Sequence, residues 1–287
     1  MPVPTSYSAW WIGPSSASRP GPRRLPSPRC RATSASSSTI WWLSAATSPS
    51  RKARARTATR SSAVAEPGWG VSRETSPGPE PEPAAAAEVL GAALELGRRY
   101  AADLIEHGER LGLIGPLEVG RVWTRHVLNS ALVAPFLQSG GRLADIGSGA
   151  GLPGLVLALV RPDVEVTLIE PMERRTDWLR DESARLGLTN VTVLRARAED
   201  ARDAGPFDQV TARAVSALRT LIPITAPLVR AGGELLFLKG ARVDDEIAAA
   251  TKVLQKHRVR DIAVLELGVG LLPEITRLFR ATVGGAS

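Results

Sequence analysis

The chain has 287 residues, 44% apolar and 23% charged, which suits one or two globular domains; no apolar run approaches the ~18 residues of a membrane span. A single cysteine, Cys30, excludes a disulfide framework, and the scattered His107, His126 and His257 form no metal motif, so a soluble protein of a reducing compartment, the cytoplasm, is expected. The net charge of +7 suggests a nucleic-acid partner, but residues 1–83 carry eleven Lys and Arg against four Glu, while 84–287 carry 25 basic and 25 acidic side chains. A global basic field is therefore no argument for nucleic-acid binding by the later residues.

Residues 1–83 hold thirteen of the 22 prolines and seventeen serines, with no Asp, Asn, Gln or Phe. Such a segment buries too little apolar surface to offset its ordering entropy, so it is expected to be a disordered extension. Its five tryptophans (Trp10, Trp11, Trp41, Trp42, Trp69) are unusual for natural disorder. Three origins compete: translation from a misplaced start, an Arg- and Ser-rich transit peptide, or a basic RNA-binding tail.

Residues 84–141 read as a helical segment. Leu90, Leu94, Gly97, Ala101 and Leu104 recur at three- and four-residue steps, which predicts one buried stripe. Leu111–Pro116 breaks that pattern, and a second helix is expected from Glu118 to Leu137. From 142 to 287 the period alternates between two and 3.6. Strands are expected at 143–146, 164–169, 191–194, 207–211, 233–238, 259–267 and 275–283. Helices are expected at 152–160, 172–186, 218–228 and 244–257. Alternation of this kind implies parallel crossovers and an α/β, doubly wound, Rossmann-like sheet covered on both faces.

The chemistry begins at Asp145-Ile-Gly147-Ser148-Gly149-Ala-Gly151-Leu152-Pro153-Gly154. Strand, glycine loop and helix in this order present backbone N–H groups at the mouth of a parallel sheet. The dinucleotide fingerprint needs glycine where Leu152 stands, and no lysine follows for a phosphate loop. An acid before the loop is repelled by a diphosphate but suits the ammonium and sulfonium of S-adenosylmethionine. Asp145 thus favours that cofactor over NAD, unless it merely caps a turn. Glu170 ends the second strand, where an acid offers acceptors to two ribose hydroxyls or is simply solvated. Ala198 and Glu199 follow the third strand and would border an adenine, or Glu199 is an ordinary acid at a helix start. Arg213 follows the fourth strand and Lys239 the fifth; each admits a ligand role or a structural one. His126, within Arg125-His126-Val-Leu-Asn129-Ser130, lies on a helix, where a lone histidine is more often structural.

At this point the sequence resembles the RsmG (GidB) family of 16S ribosomal RNA guanine-N7 methyltransferases. The matching stretches are "RHVLNS" (125–130), "DIGSGAGLPG" (145–154), "FD" then "RAVSAL" (207–208, 213–218) and "LKG" (238–240), in order over 84–283. The resemblance implies a class I methyltransferase sheet preceded by a helical extension. It implies S-adenosylmethionine contacts at Gly147, Leu152, Ala198, Glu199 and Arg213. The general methyltransferase pattern adds Asp145, Glu170 and the loop residues Ser148, Gly149 and Gly151. Arg213 is expected where cofactor and target meet, as the catalytic group. Arg121, Arg125, His126 and Lys239 are expected on the RNA-facing side. Asn129 departs from an Asp common in the family, and residues 1–83 have no counterpart in it. The implied substrate is the guanine at nucleotide 527 of 16S rRNA in the small ribosomal subunit, methylated by a monomer. Two alternatives stand beside this reading, a NAD-dependent oxidoreductase and a non-catalytic RNA-binding module.

Overall fold

The computed structural model describes Ile12–Gly13 and residues 78–284. Apart from Ile12–Gly13, the expected disordered extension lies outside the described residues up to position 77. Gly78–Pro83 belongs with the helical segment that follows it. Glu80 Oε2 accepts the Thr124 N–H at 2.9 Å, and Glu82 pairs with Arg98 at 2.7 Å. Contacts with the helical segment are therefore already made at Glu80, three residues before the compositional boundary at 83.

The helical segment contains α1 (Ala85–Leu90) and α2 (Leu94–His107), joined by a tight turn at Gly91. The apolar stripe of α2 buries Gly97, Tyr100, Ala101 and Leu104. The single helix expected over 118–137 is instead four short pieces. A 3-10 stretch, Pro116–Arg121, leads into a π-helical turn, Val122–Leu128; α3 (Asn129–Ala131) and a 3-10 turn, Ala134–Phe136, follow. Pro116 starts the first piece and Pro135 lies in the last, where a missing N–H and fixed φ suit a helix start and stop propagation.

The sheet contains β1 (Ile12–Gly13), β2 (Arg142–Ile146), β3 (Glu165–Ile169), β4 (Val191–Leu194), β5 (Phe207–Arg213), β6 (Val229–Lys239), β7 (Val259–Leu267) and β8 (Thr276–Val283). Its order is β1-β7-β8-β6-β5-β2-β3-β4. β2 to β6 are mutually parallel, linked through α4 (Gly154–Val160), α5 (Glu173–Arg185) and α6 (Leu218–Thr225). After α7 (Val243–Lys256) the parallel pattern ends. β8 inserts between β6 and β7 and is antiparallel to both, so the doubly wound fold carries a mixed sheet. The reason is local: β7 and β8 are separated by only the short 268–275 connection, and parallel neighbours need a crossover of a dozen residues or more.

Alternation along the strands gives each face its own core. Leu236 and Leu238 join the cluster built by α1, α2, the π-helical turn, α4 and α5. Leu235 and Phe237 join the opposite cluster, with α6 and α7. Sheets carrying helices on both faces bind ligands beyond the carboxyl ends of the strands, where the winding direction reverses. That reversal falls here between β2 and β5.

Candidate cofactor and substrate site

The glycine loop runs from the end of β2 into α4 and is held mainly by backbone hydrogen bonds. Gly147 N–H donates to Ile169 O at 2.8 Å, and Gly151 N–H to Ser148 O at 2.7 Å. Gly147, Gly149 and Gly151 have φ of +68°, +56° and +104°, the left-handed region that side chains disfavour. A Cβ on Gly149 would meet only Gly147 O at 3.7 Å and Arg175 Nη1 at 4.0 Å, ordinary contact distances, so this face of the loop is uncrowded. Gly154 differs: a Cβ there would lie 2.3 Å from Leu168 Cδ2 and 2.6 Å from Asp145 Oδ2, so it lets α4 press against β3. Two side chains clamp the turn from outside. The Tyr100 hydroxyl of α2 and the Trp178 indole N–H of α5 both donate to Ala150 O, at 3.0 and 2.9 Å.

Asp145 lies beneath the loop. Its carboxyl is fully buried; Oδ2 accepts the Gly154 N–H at 3.0 Å, and Oδ1 has no hydrogen-bond partner. Burial pushes its pKa up to about 7, against the hydrogen bond from the Gly154 N–H that favours the charged form. Ser148 is buried and its hydroxyl donates to Asp145 O at 2.9 Å. Leu152 is buried beside the start of α4. Glu170, also buried, closes the loop from the end of β3. Its Oε2 accepts the Gly149 N–H and its Oε1 the Met172 N–H, each at 3.0 Å. Ala198 and Glu199 form a turn after β4, with Ala198 buried and Glu199 exposed.

On the other side of the switch point, Arg213 ends β5. Ala214 takes φ +53°, a conformation that costs a non-glycine residue energy and recurs at functional sites. The bend brings Val215 onto the loop, since a Cβ on Gly147 would meet Val215 Cγ2 at 2.9 Å. Arg213 Nη2 donates to His126 Nδ1 at 2.6 Å, while Nη1 is buried without a hydrogen-bond partner. Burial, and then the charge of Arg125, lower the Arg213 pKa to about 10, so the guanidinium remains charged at neutral pH. His126 is itself buried, and burial, followed by Arg213, Arg125 and Arg121, pushes it down to about 3. The imidazole is therefore neutral. Its Nε2 lies 2.8 Å from Glu118 Oε2 but out of line for a hydrogen bond.

A cavity of about 360 Å³ opens along this rim, lined in part by Arg125, Asn129, Arg213, Lys239, Glu274 and Arg277. The structure thus brings Arg125, Arg213 and Lys239 together, with His126 behind them. Arg121 and Arg125 are partly exposed, and both pair with Glu274; Arg125 also lies 3.0 Å from Glu118. Lys239 is not a free surface cation: it is mostly buried, donating to Ser216 O at 2.9 Å and pairing with Glu246 at 2.7 Å. His126 likewise presents no free face to solvent. Sequence reasoning passed over Tyr100, Trp178, Glu118 and Val215. The available signal was a hydroxyl or indole tip on an otherwise apolar helix face, which needs a partner when buried.

The donors present fit S-adenosylmethionine. The Gly149 face leaves room against backbone. Each Glu170 oxygen has accepted one N–H and retains a lone pair for a ribose hydroxyl. Among the described residues no cluster of His, Cys, Asp and Glu suits a metal ion, and no helix is long and apolar enough to cross a membrane.

Comparison with known proteins follows the same line. A family model described as "GidB: rRNA small subunit methyltransferase G" matches residues 94–272. The ribosomal RNA small subunit methyltransferase G of Leifsonia xyli subsp. xyli (strain CTCB07) is 58% identical over 200 residues, covering 70% of this chain and 95% of that protein. The protein of that name from Clavibacter sepedonicus is 54% identical over 198 residues, covering 69% and 93%. The solved tRNA (m1A58) methyltransferase of Aquifex aeolicus is similar at TM-score 0.45 and 16% identity, over 55% of this chain and 69% of that one. The chain belongs to the rRNA small subunit methyltransferase G family, enzymes dependent on S-adenosylmethionine.

Proposed function

We propose that the protein methylates N7 of a guanine in 16S rRNA, the base at nucleotide 527, working as a cytoplasmic monomer on the small ribosomal subunit. The observation that carries this reading is the juxtaposition, across one switch point, of an open backbone cradle and a basic cavity. Bound at the cradle, S-adenosylmethionine supplies a methyl group activated by a positively charged sulfur. Gly147, Ser148, Gly149, Gly151 and Leu152 shape the cradle. Glu170 receives the ribose hydroxyls, and Asp145 holds the loop from below. Ala198 and Glu199 border the adenine.

Guanine N7 carries a lone pair that is unprotonated at neutral pH, so the acceptor needs no general base. The rim agrees with this, because its imidazole already uses Nδ1 to accept from Arg213. The work left to the protein is positioning and electrostatics. Arg213 stands between cradle and cavity and is the residue assigned to the reacting groups. A cavity of about 360 Å³ admits one base, not a duplex, so the target guanine enters splayed from its neighbours. Arg121 and Arg125 meet the RNA backbone, where a phosphate takes the place of Glu274. His126 and Lys239 support that face from behind.

The test is methyl incorporation into small subunits from a strain lacking the enzyme, followed by chemical cleavage at N7-methylguanine. One cleavage site, at nucleotide 527, is expected. Cleavage elsewhere, or equal labelling of arbitrary RNA, overturns the substrate assignment.

A further inference from the structure

We infer that His126 is a positioning residue, whose Nδ1 fixes the guanidinium of Arg213 at the rim between cradle and cavity. The inference rests on the proposed role of Arg213 and adds how that role is enforced. An arginine side chain has several soft torsions and loses its reach if its plane is free to turn. Here one donor, Nη2, is tied to the imidazole at 2.6 Å, while Nη1 is buried and unpartnered. A buried charged donor left unsatisfied is costly, so the guanidinium depends on the one acceptor it has.

The anchor comes from an unusual piece of backbone. His126 sits on the π-helical turn Val122–Leu128 of the helical segment, and Arg213 sits at the end of β5. The contact therefore makes the segment before the sheet a part of the active centre. The groups facing the imidazole are Glu118 and Arg121 from the 3-10 stretch, Arg125 from its own turn, and Arg213 from the strand. Three of these four are cations. The ring stays neutral among them, which leaves Nδ1 free to accept. A protonated ring has no acceptor to offer and would repel the guanidinium.

Two substitutions separate positioning from packing. In His126→Asn the side-chain oxygen stands near the former Nδ1, so an acceptor for Arg213 is kept and the reach toward Glu118 is lost. In His126→Gln the amide reaches toward Glu118, and the acceptor near Arg213 is lost. His126→Gln is expected to lower kcat on small subunits by on the order of tenfold to a hundredfold, because small misplacements of a positioned group cost that much. Its KM, S-adenosylmethionine affinity by calorimetry and melting temperature should change little. His126→Asn is expected to recover most of that loss. Equal activity of both variants, whether high or low, overturns the inference. Arg213→Ala tests the underlying reading separately. If it is fully active, the role of Arg213 falls; if it is inactive while His126→Gln is not, only the positioning falls.

A second readout starts from the parent protein. The chain has three histidines, so 15N-labelled imidazoles are readily distinguished by NMR. His126 should show the Nε2–H tautomer, without titration between about pH 5 and about pH 8. Its Nδ1 resonance should shift in Arg213→Ala. A protonated Nδ1 at neutral pH overturns the inference.

Discussion

The two sides of the switch point are held by different physics. On the β2–β3 side, glycine φ angles and backbone donors make the surface, and one oxygen each of Asp145 and Glu170 accepts a loop N–H, from Gly154 and Gly149. On the β5–β6 side, side chains make it: Arg213 on His126, Lys239 on Glu246, and Arg121 and Arg125 on Glu274. The first side is sensitive to added atoms and tolerant of salt. The second is sensitive to lost acceptors and charges, and its exposed pairs weaken as salt screens them. A methyltransferase of RNA needs both, since its cofactor is one fixed small molecule and its substrate is a charged polymer.

The sharpest way to break the first side is to add atoms to it. Gly149→Asp puts a side chain and a negative charge into the open face of the cradle. S-Adenosylmethionine binding by calorimetry should fall by more than about a hundredfold while circular dichroism stays folded; each ~1.4 kcal/mol is tenfold in affinity. Retained affinity in a folded variant would remove the loop from the site. Gly154→Ala acts on stability instead. Its Cβ would press on Leu168 and on the Asp145 carboxyl, and overpacking of this kind costs about 1–3 kcal/mol, read as a lowered urea midpoint. An unchanged midpoint would mean that α4 slides freely on β3.

The smallest expected effect concerns acids buried on the cradle side. Burial, and then the Asp103 charge, raise Glu182 to about 7, and burial raises Asp145 to about 7. Both are therefore above their unfolded values, and the folded state holds more protons than the unfolded one between the two values. Stability from these groups is present below the unfolded pKa, near 4. It is lost as pH rises through about 7. Urea midpoints should drop modestly from pH 5.5 to pH 8, and Glu182→Gln should flatten the slope. A midpoint that rises over this range in the parent protein contradicts the sign.

Much of the fold was readable from the sequence because its signals are local. "VEVTLI" alternates and is followed by an acid, Glu170; "DIGSGAGLPG" states strand, loop and helix start in ten residues. The mixed end of the sheet was not readable, since the strand pattern of β7 and β8 is the same whichever way they pair. Nor was the break in the helix over 118–137, where tertiary contacts with Glu80 and Glu274 outweigh a good apolar period. At the site, residue types and strand ends identified the acids and basics but not their depth. Asp145 is buried under the loop because α4 approaches at Gly154, a distance that no spacing encodes. Lys239 finds Glu246 one turn into the next helix, whereas Arg125 finds Glu274, 149 residues along the chain.

The shared acceptor at Ala150 has an optical and magnetic consequence. Trp178 donates its indole N–H straight into the backbone of the cradle, and so does the Tyr100 hydroxyl. An indole ring hydrogen-bonded to that carbonyl feels any change in its direction or its share between the two donors. Labelled with 5-fluorotryptophan, the protein would carry a built-in 19F tag at Trp178, with six other tryptophans as internal references. Its resonance would follow the loop through loading, turnover and product release, without a dye and without a substitution in the sequence.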